Sequence, residues 1–140
     1  MKKFLLYIFC CTAIASIFVN LQASAAPQSS GKIPVMDGGA GPCSLELTIM
    51  GPDSKPVYDA TVKVHIAYGF AGTHRLDLQA GTNADGKVRF TGIPARVHRP
   101  PIEFQATKDD LQKVLDYDPA TECEAKHQLT LEKPKAQAGE

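Results

Sequence analysis

The sequence predicts an all-β sandwich of six to seven strands, and three observations carry that prediction. Apolar residues recur with a period of two rather than 3.6 through most of the chain. Turn-forming clusters punctuate it every ten residues or so. Outside the N-terminal apolar run the chain has two cysteines, Cys43 at the start of the first alternating segment and Cys123 at the entry of the last.

The first strand is Leu45, Leu47 and Ile49 alternating with Ser44, Glu46 and Thr48, the signature of a half-buried sheet. Gly51-Pro52-Asp53-Ser54-Lys55-Pro56 then supplies turn chemistry. Ala60, Val62, Val64 and Ile66 alternate with Thr61, Lys63 and His65 as a second strand, interrupted by Gly69 and Gly72. Leu76 and Leu78 mark a third. Asn83-Ala84-Asp85-Gly86 reads as a tight turn, and Lys87-Val88-Arg89-Phe90 alternates directly after it. That combination predicts a hairpin between the third and fourth strands. Ile102, Phe104 and Ala106 form a fifth strand after the Pro100-Pro101 pair, and a last strand follows Cys123 with Leu129 and Leu131 inward. Lys108 to Tyr117 is ambiguous: Leu111, Val114 and Leu115 fit a short amphipathic helix, while the all-β context favours a strand.

The N-terminus has the layout of a secretory signal. Lys2 and Lys3 precede an apolar run from Phe4 to Val19, and Ala23-Ser24-Ala25 supplies a small-x-small cleavage pattern. The expected organisation is a signal peptide over 1-25, a flexible Gly/Pro-rich linker over 26-42, one domain over 43-132 and a disordered tail over 133-140. Cleavage would leave 115 of the 140 residues, with thirteen of the fifteen basic residues against fifteen acidic ones. A mature net charge of −2 without a basic stretch argues against nucleic acid or an anionic membrane as partner. Of the four cysteines only Cys43 and Cys123 would remain, and an even pair in an exported chain predicts a disulfide. The expected address is periplasmic or secreted.

The order of these motifs is similar to a known family. Leu45-x-Leu47-x-Ile49, Lys55-Pro56-Val57-x-x-Ala60-x-Val62-x-Val64 and Thr82-Asn83-Ala84-Asp85-Gly86-Lys87-Val88-x-Phe90-x-Gly92-Ile93-Pro94 together resemble the carboxypeptidase regulatory-like domain, one of the Ig-like, transthyretin-like (prealbumin-like) β-sandwiches. The resemblance implies a fold, with Phe90 plugging its core, and little chemistry.

Two enzyme groups with similar sandwiches supply specific expectations. The hydroxyisourate hydrolases use a first-strand histidine, which here falls at about Leu47, and a C-terminal Tyr-Arg-Gly-Ser, where this chain ends Ala136-Gln137-Ala138-Gly139-Glu140. Intradiol dioxygenases hold iron with two tyrosines and two closely spaced histidines. His98-Arg99-Pro100-Pro101-Ile102-Glu103 has Pro100 and Glu103 where that histidine pair would be sought.

Other chemistry-bearing residues also have plain structural readings. His65, His74, His98 and His127 lack metal-ligand spacing and read as surface residues, with His65 and His127 as partners on neighbouring strands. Asn83, Asp85 and Gly86 do not begin a calcium loop of the EF-hand kind, because the twelfth position from Asn83 is Pro94. The acidic stretch from Asp109 to Glu124 reads as a solvated face, and no serine has a nucleophile-elbow context. Tyr68-Gly69-Phe70-Ala71-Gly72 reads either as a strand end where Tyr68 or Phe70 caps the core or as a sticky loop tip, and His98-Arg99-Pro100-Pro101 reads as an exposed, extended segment. Placed at one end of the sandwich, Tyr68, Phe70, His98 and Arg99 would form a partner-binding rim.

The expectation from sequence is therefore a non-enzymatic exported module without cofactor or metal, binding a protein of the bacterial cell envelope. The alternative is an oligomeric carrier of a small molecule or metal.

Overall fold

A computed structural model describes residues 31 to 135. The expected signal peptide, residues 26 to 30 of the expected linker and residues 136 to 140 of the expected tail lie outside the described residues. Eight strands and one 3-10 turn follow in order: β1 Val35–Asp37, β2 Cys43–Met50, β3 Thr61–Tyr68, η1 Phe70–Gly72, β4 His74–Gly81, β5 Lys87–Ile93, β6 Ile102–Lys108, β7 Leu111–Tyr117 and β8 Glu124–Thr130. They form two four-stranded sheets, ordered β1-β5-β2-β8 and β4-β3-β6-β7. The all-β sandwich predicted from the alternation is the fold.

Each sheet turns its apolar set inward. Cys43, Leu45, Leu47 and Ile49 of β2, Val62 and Ile66 of β3, Val88 and Phe90 of β5, and Phe104 and Ala106 of β6 have no solvent exposure. Phe90 of the first sheet meets Phe104 of the second edge-on, with ring centroids 5.3 Å apart. Phe104 in turn meets Tyr117 at 5.9 Å. Such T-shaped pairs set the positive edge of one ring against the negative face of the next, so this row of three rings ties the sheets together.

The predicted disulfide is present. Cys43 and Cys123 are bonded, with Cα atoms 4.5 Å apart and a sequence separation of 80. The bond sits where β2 and β8 begin their parallel pairing, from Ser44 opposite Glu124 to Met50 opposite Thr130. Tyr117 closes the same corner. Its hydroxyl donates to the carbonyls of Glu122 at 2.7 Å and Cys123 at 3.2 Å. Burial pushes its pKa up to about 12, with the Glu122 and Asp118 carboxylates adding to the effect.

Three expectations are corrected. The stretch 26-42 is not all linker, because Val35–Asp37 pairs in parallel with β5. Gly92, at φ 65°, makes room for it: a Cβ there would collide with Asp37 Oδ1 and the Gly39 nitrogen. The turn at Asn83-Gly86 does not close a hairpin either. β4 pairs with β3 and β5 pairs with β2, so the turn carries the chain from one sheet to the other. His65 on β3 and His127 on β8 consequently lie in different sheets and are not cross-strand partners. Lys108 to Tyr117 resolves in favour of strand. β7 pairs antiparallel with β6 along its length, and Val114, needed inward by a helix, points out.

At the crossing between sheets sits Thr82, a buried polar residue. Its Oγ1 accepts from the Ala60 nitrogen at 2.9 Å and donates to the Val57 carbonyl at 2.6 Å. Thr82→Val keeps the shape and removes both bonds, leaving a buried N–H and C=O without partners. The expected loss is about 2 kcal/mol of unfolding free energy, read by urea denaturation. A loss within error would show that the backbone bonds of Thr82 with Asp59 and Ala60 fix the crossing by themselves.

Candidate functional site

The outer face of the second sheet is where polar side chains with chemical capability gather. Alternation puts Lys63, His65 and Ala67 of β3 on this face, opposite Gln79, Asp77 and Arg75 of β4 in register. On the other flank β6 contributes Gln105, opposite Lys63, and Glu103. All of these except Arg75 line a groove of about 720 Å³ with His98, Arg99 and Pro101.

The segment before β6 closes one end of the groove. Tyr68 and Val97 form a β-bridge, and the His98 nitrogen donates to the Ala67 carbonyl at 2.7 Å. The His98 ring packs against η1, since a Cβ on Gly72 would lie 2.8 Å from its Cγ. Pro100-Pro101 is cis, and Arg99 has φ 56°. The two segments singled out from sequence therefore do meet at one end of the sandwich. Phe70 is 91% exposed at its tip, while Tyr68 is half-buried and stacks on His74 with ring centroids 5.3 Å apart. His98 and Arg99 belong to the groove as well as to the rim.

Within the groove one pair has a defined chemical relation: His65 Nδ1 is hydrogen-bonded to Asp77 Oδ1. A carboxylate can only accept, so in the neutral ring the proton resides on Nδ1 and Nε2 is left as the basic atom. His127 is held by Glu122 at 2.8 Å on the other sheet. Sequence reasoning placed His65 outward but missed Asp77 as its partner, along with the roles of Lys63, Gln79 and Gln105. Alternation shows which residues face out; only the β3–β4 and β3–β6 registers show which of them are neighbours.

The described residues do not fit the iron site of an intradiol dioxygenase. Among them, no group of three or more histidine, cysteine, aspartate or glutamate side chains could hold a metal ion. Three tyrosines are described, and Tyr58 is exposed on the surface. Tyr117 spends its hydroxyl on two carbonyls in the core, and Tyr68 stacks on His74. No helix among the described residues is long and apolar enough to cross a membrane.

On the opposite face, Glu46 is nearly covered and accepts a hydrogen bond from Arg89 Nη2 at 2.5 Å. That bond holds its carboxyl below the ordinary value of 4.5 against the opposing effect of burial, with the charges of Lys126, Arg89 and Lys87 adding to it. A depressed carboxylate stabilises the fold above its unfolded pKa, and the contribution disappears as pH falls through the folded one. Arg89 is partly exposed, so the contribution is small. Glu46→Gln is expected to cost about 1 kcal/mol at neutral pH and to reduce the fall of Tm on acidification below 4.5. Identical Tm-versus-pH curves for the two proteins would reject this role.

No family model matches the chain, and no curated protein matches it either. Solved structures do. Catechol 1,2-dioxygenase from Pseudomonas arvilla C-1 is 14% identical with a TM-score of 0.48, the match covering 76% of this chain and 60% of that one. The Acinetobacter sp. ADP1 enzyme is 15% identical with the same TM-score of 0.48, over 74% and 59% of the two chains. The dioxygenase domain of a dioxygenase carbohydrate-binding protein fusion from Streptomyces sp. SirexAA-E is 13% identical with a TM-score of 0.46, over 75% and 92%. This chain thus spans about three-fifths of the two catechol dioxygenases. Likeness at this level concerns the fold and assigns no activity. The solved structures it resembles are enzymes, where the sequence reading expected a non-enzymatic module. The expectations of a non-enzymatic partner-binding module, of an oligomeric carrier and of a protein without catalysis are withdrawn accordingly.

Proposed function

We propose that the domain is a small hydrolase whose general base is His65, acting on a polar substrate held in the groove on the second sheet. The single observation behind this reading is the His65–Asp77 hydrogen bond inside that groove. An aspartate on one ring nitrogen fixes the tautomer and stabilises the imidazolium that forms when the other nitrogen takes a proton. The groove is open to water, the second reactant a hydrolase needs.

The step balances without a redox partner. Water adds to the acyl carbon while Nε2 takes its proton. The bond from that carbon to the leaving oxygen breaks, and the imidazolium returns the proton to that oxygen. The products are an acid and an alcohol.

The test uses p-nitrophenyl acetate. The wild-type protein should hydrolyse it with saturation and faster than an equal concentration of free imidazole. A positioned general base contributes about a hundredfold or more, so His65→Gln should reduce the rate at least about tenfold even on this unselective ester. Asp77→Asn should reduce it while leaving the fold intact. His74→Gln and His127→Gln should have no effect. A wild-type rate equal to that of His65→Gln would end the proposal.

The remaining parts of this reading concern the address and family. A signal peptide over 1-25 and a periplasmic or secreted location rest on the N-terminal pattern, and a disulfide is what an oxidising compartment permits. Membership of the carboxypeptidase regulatory-like group rests on the motif order. Mass spectrometry of the exported protein, showing whether the mature chain begins at Ala26, tests the address.

A further inference from the structure

The outer face of the second sheet segregates its charge by rows, and the segregation identifies what the groove takes. One row crosses the sheet as Gln79, Lys63, Gln105 and Val114, in register through β4, β3, β6 and β7. It contains no acid. The adjacent row holds Asp77 opposite His65, and Glu103 opposite Asp116. A sheet lysine with a carboxylate directly across from it gains a cross-strand ion pair. Lys63 instead has a neutral amide on each side, and among the described residues it has no ion pair, nor does Arg99 at the end of the groove.

We infer that the Gln79–Lys63–Gln105 row is an anion subsite that binds a carboxylate of the substrate beside His65. An ammonium flanked by two amides offers donors from three side chains to one planar anion. The acids of the neighbouring row repel a carboxylate and direct it to this one. Positions i and i+2 of a strand are about 7 Å apart, so the distance from Lys63 to His65 sets the scale of the ligand. The anionic group and the scissile bond must be separated by a few atoms, as in the half-ester of a short dicarboxylic acid. This inference rests on His65 as the reacting base for its substrate class, and on the Lys63 row alone for the binding of the anion.

The test reads binding and catalysis separately. Succinate is titrated into the full mature protein and followed by 1H–15N correlation spectra, with succinamide as the neutral control. The expected result is saturable shifts at the side-chain amides of Gln79 and Gln105, absent with succinamide. Lys63→Gln should weaken succinate binding about fivefold, the scale of an exposed ion pair. Lys63→Arg should retain it, and Lys113→Gln on β7 should leave it unchanged. The dispersion of each variant's own spectrum establishes that it is folded. Equal shifts with succinate and succinamide, shifts confined to another surface, no shifts, or indifference to Lys63→Gln would each overturn the subsite. Loss of succinate binding with intact His65-dependent hydrolysis of p-nitrophenyl acetate would reject the subsite and leave the hydrolase reading standing. Succinate binding at Lys63 without that hydrolysis would do the reverse.

Discussion

Replacing Cys43 and Cys123 together with alanine is expected to lower the unfolding free energy by about 4 kcal/mol, because the bond closes a long loop in the unfolded chain. The separation of 80 residues places it near the upper end of what loop closure supplies. Local structure adds a second consequence. The Ser44 nitrogen donates to the Cys123 carbonyl at 2.8 Å, and the Tyr117 hydroxyl donates to that same carbonyl. The cysteine pair therefore starts the parallel β2–β8 ladder, whose strands come from opposite ends of the domain. Urea unfolding of the double variant, and of the wild type under reducing conditions, measures the effect. A loss under about 1 kcal/mol would show that the parallel ladder and the Tyr117 bonds hold the corner without the crosslink, and that loop closure contributes far less than the chain-entropy account requires.

The second large effect is expected at Phe104. Its side chain is fully buried and stands between Phe90 of the other sheet and Tyr117 of the neighbouring strand. Phe104→Ala removes the middle ring of that row and opens a void that two rigid sheets cannot collapse into, so a loss of about 4 kcal/mol follows. Phe104→Leu keeps most of the apolar volume and should cost about 1.5 kcal/mol. The difference between the two variants, measured by denaturant midpoints at matched slope, isolates the void from the change of shape. Equal losses would mean that ring geometry rather than filled volume matters at this position. Val64, opposite Phe104 in the β3–β6 register, lies between Lys63 and His65. Phe104→Ala should accordingly disturb the groove as well as the core, and His65 resonances report it.

The sequence by itself determined the parts whose cause is local. Leu45, Leu47 and Ile49 must share one face because a strand alternates, and they are all buried. Cys43 and Cys123 are the sole cysteines that remain after the expected cleavage, so their pairing followed from counting and compartment. Gly51 to Pro56 turns because its residues favour turns, and the Gly51 nitrogen bonds the Lys55 carbonyl.

Tertiary structure decided the rest. A turn at Asn83-Gly86 reverses the chain without choosing its partners, and the two sheets, not the turn, assigned β4 to β3 and β5 to β2. Val35–Asp37 has no alternation to announce it; it is a strand because the exposed edge of β5 offers it hydrogen bonds and Gly92 leaves it space. The site follows the same logic. Lys63 and His65 were legible as outward residues, but Asp77, Gln79 and Gln105 became their neighbours only through strand register. Register is a long-range property, fixed when two apolar faces close on one core, and a one-residue slip would exchange every side chain between core and solvent. No local pattern in the chain encodes that closure.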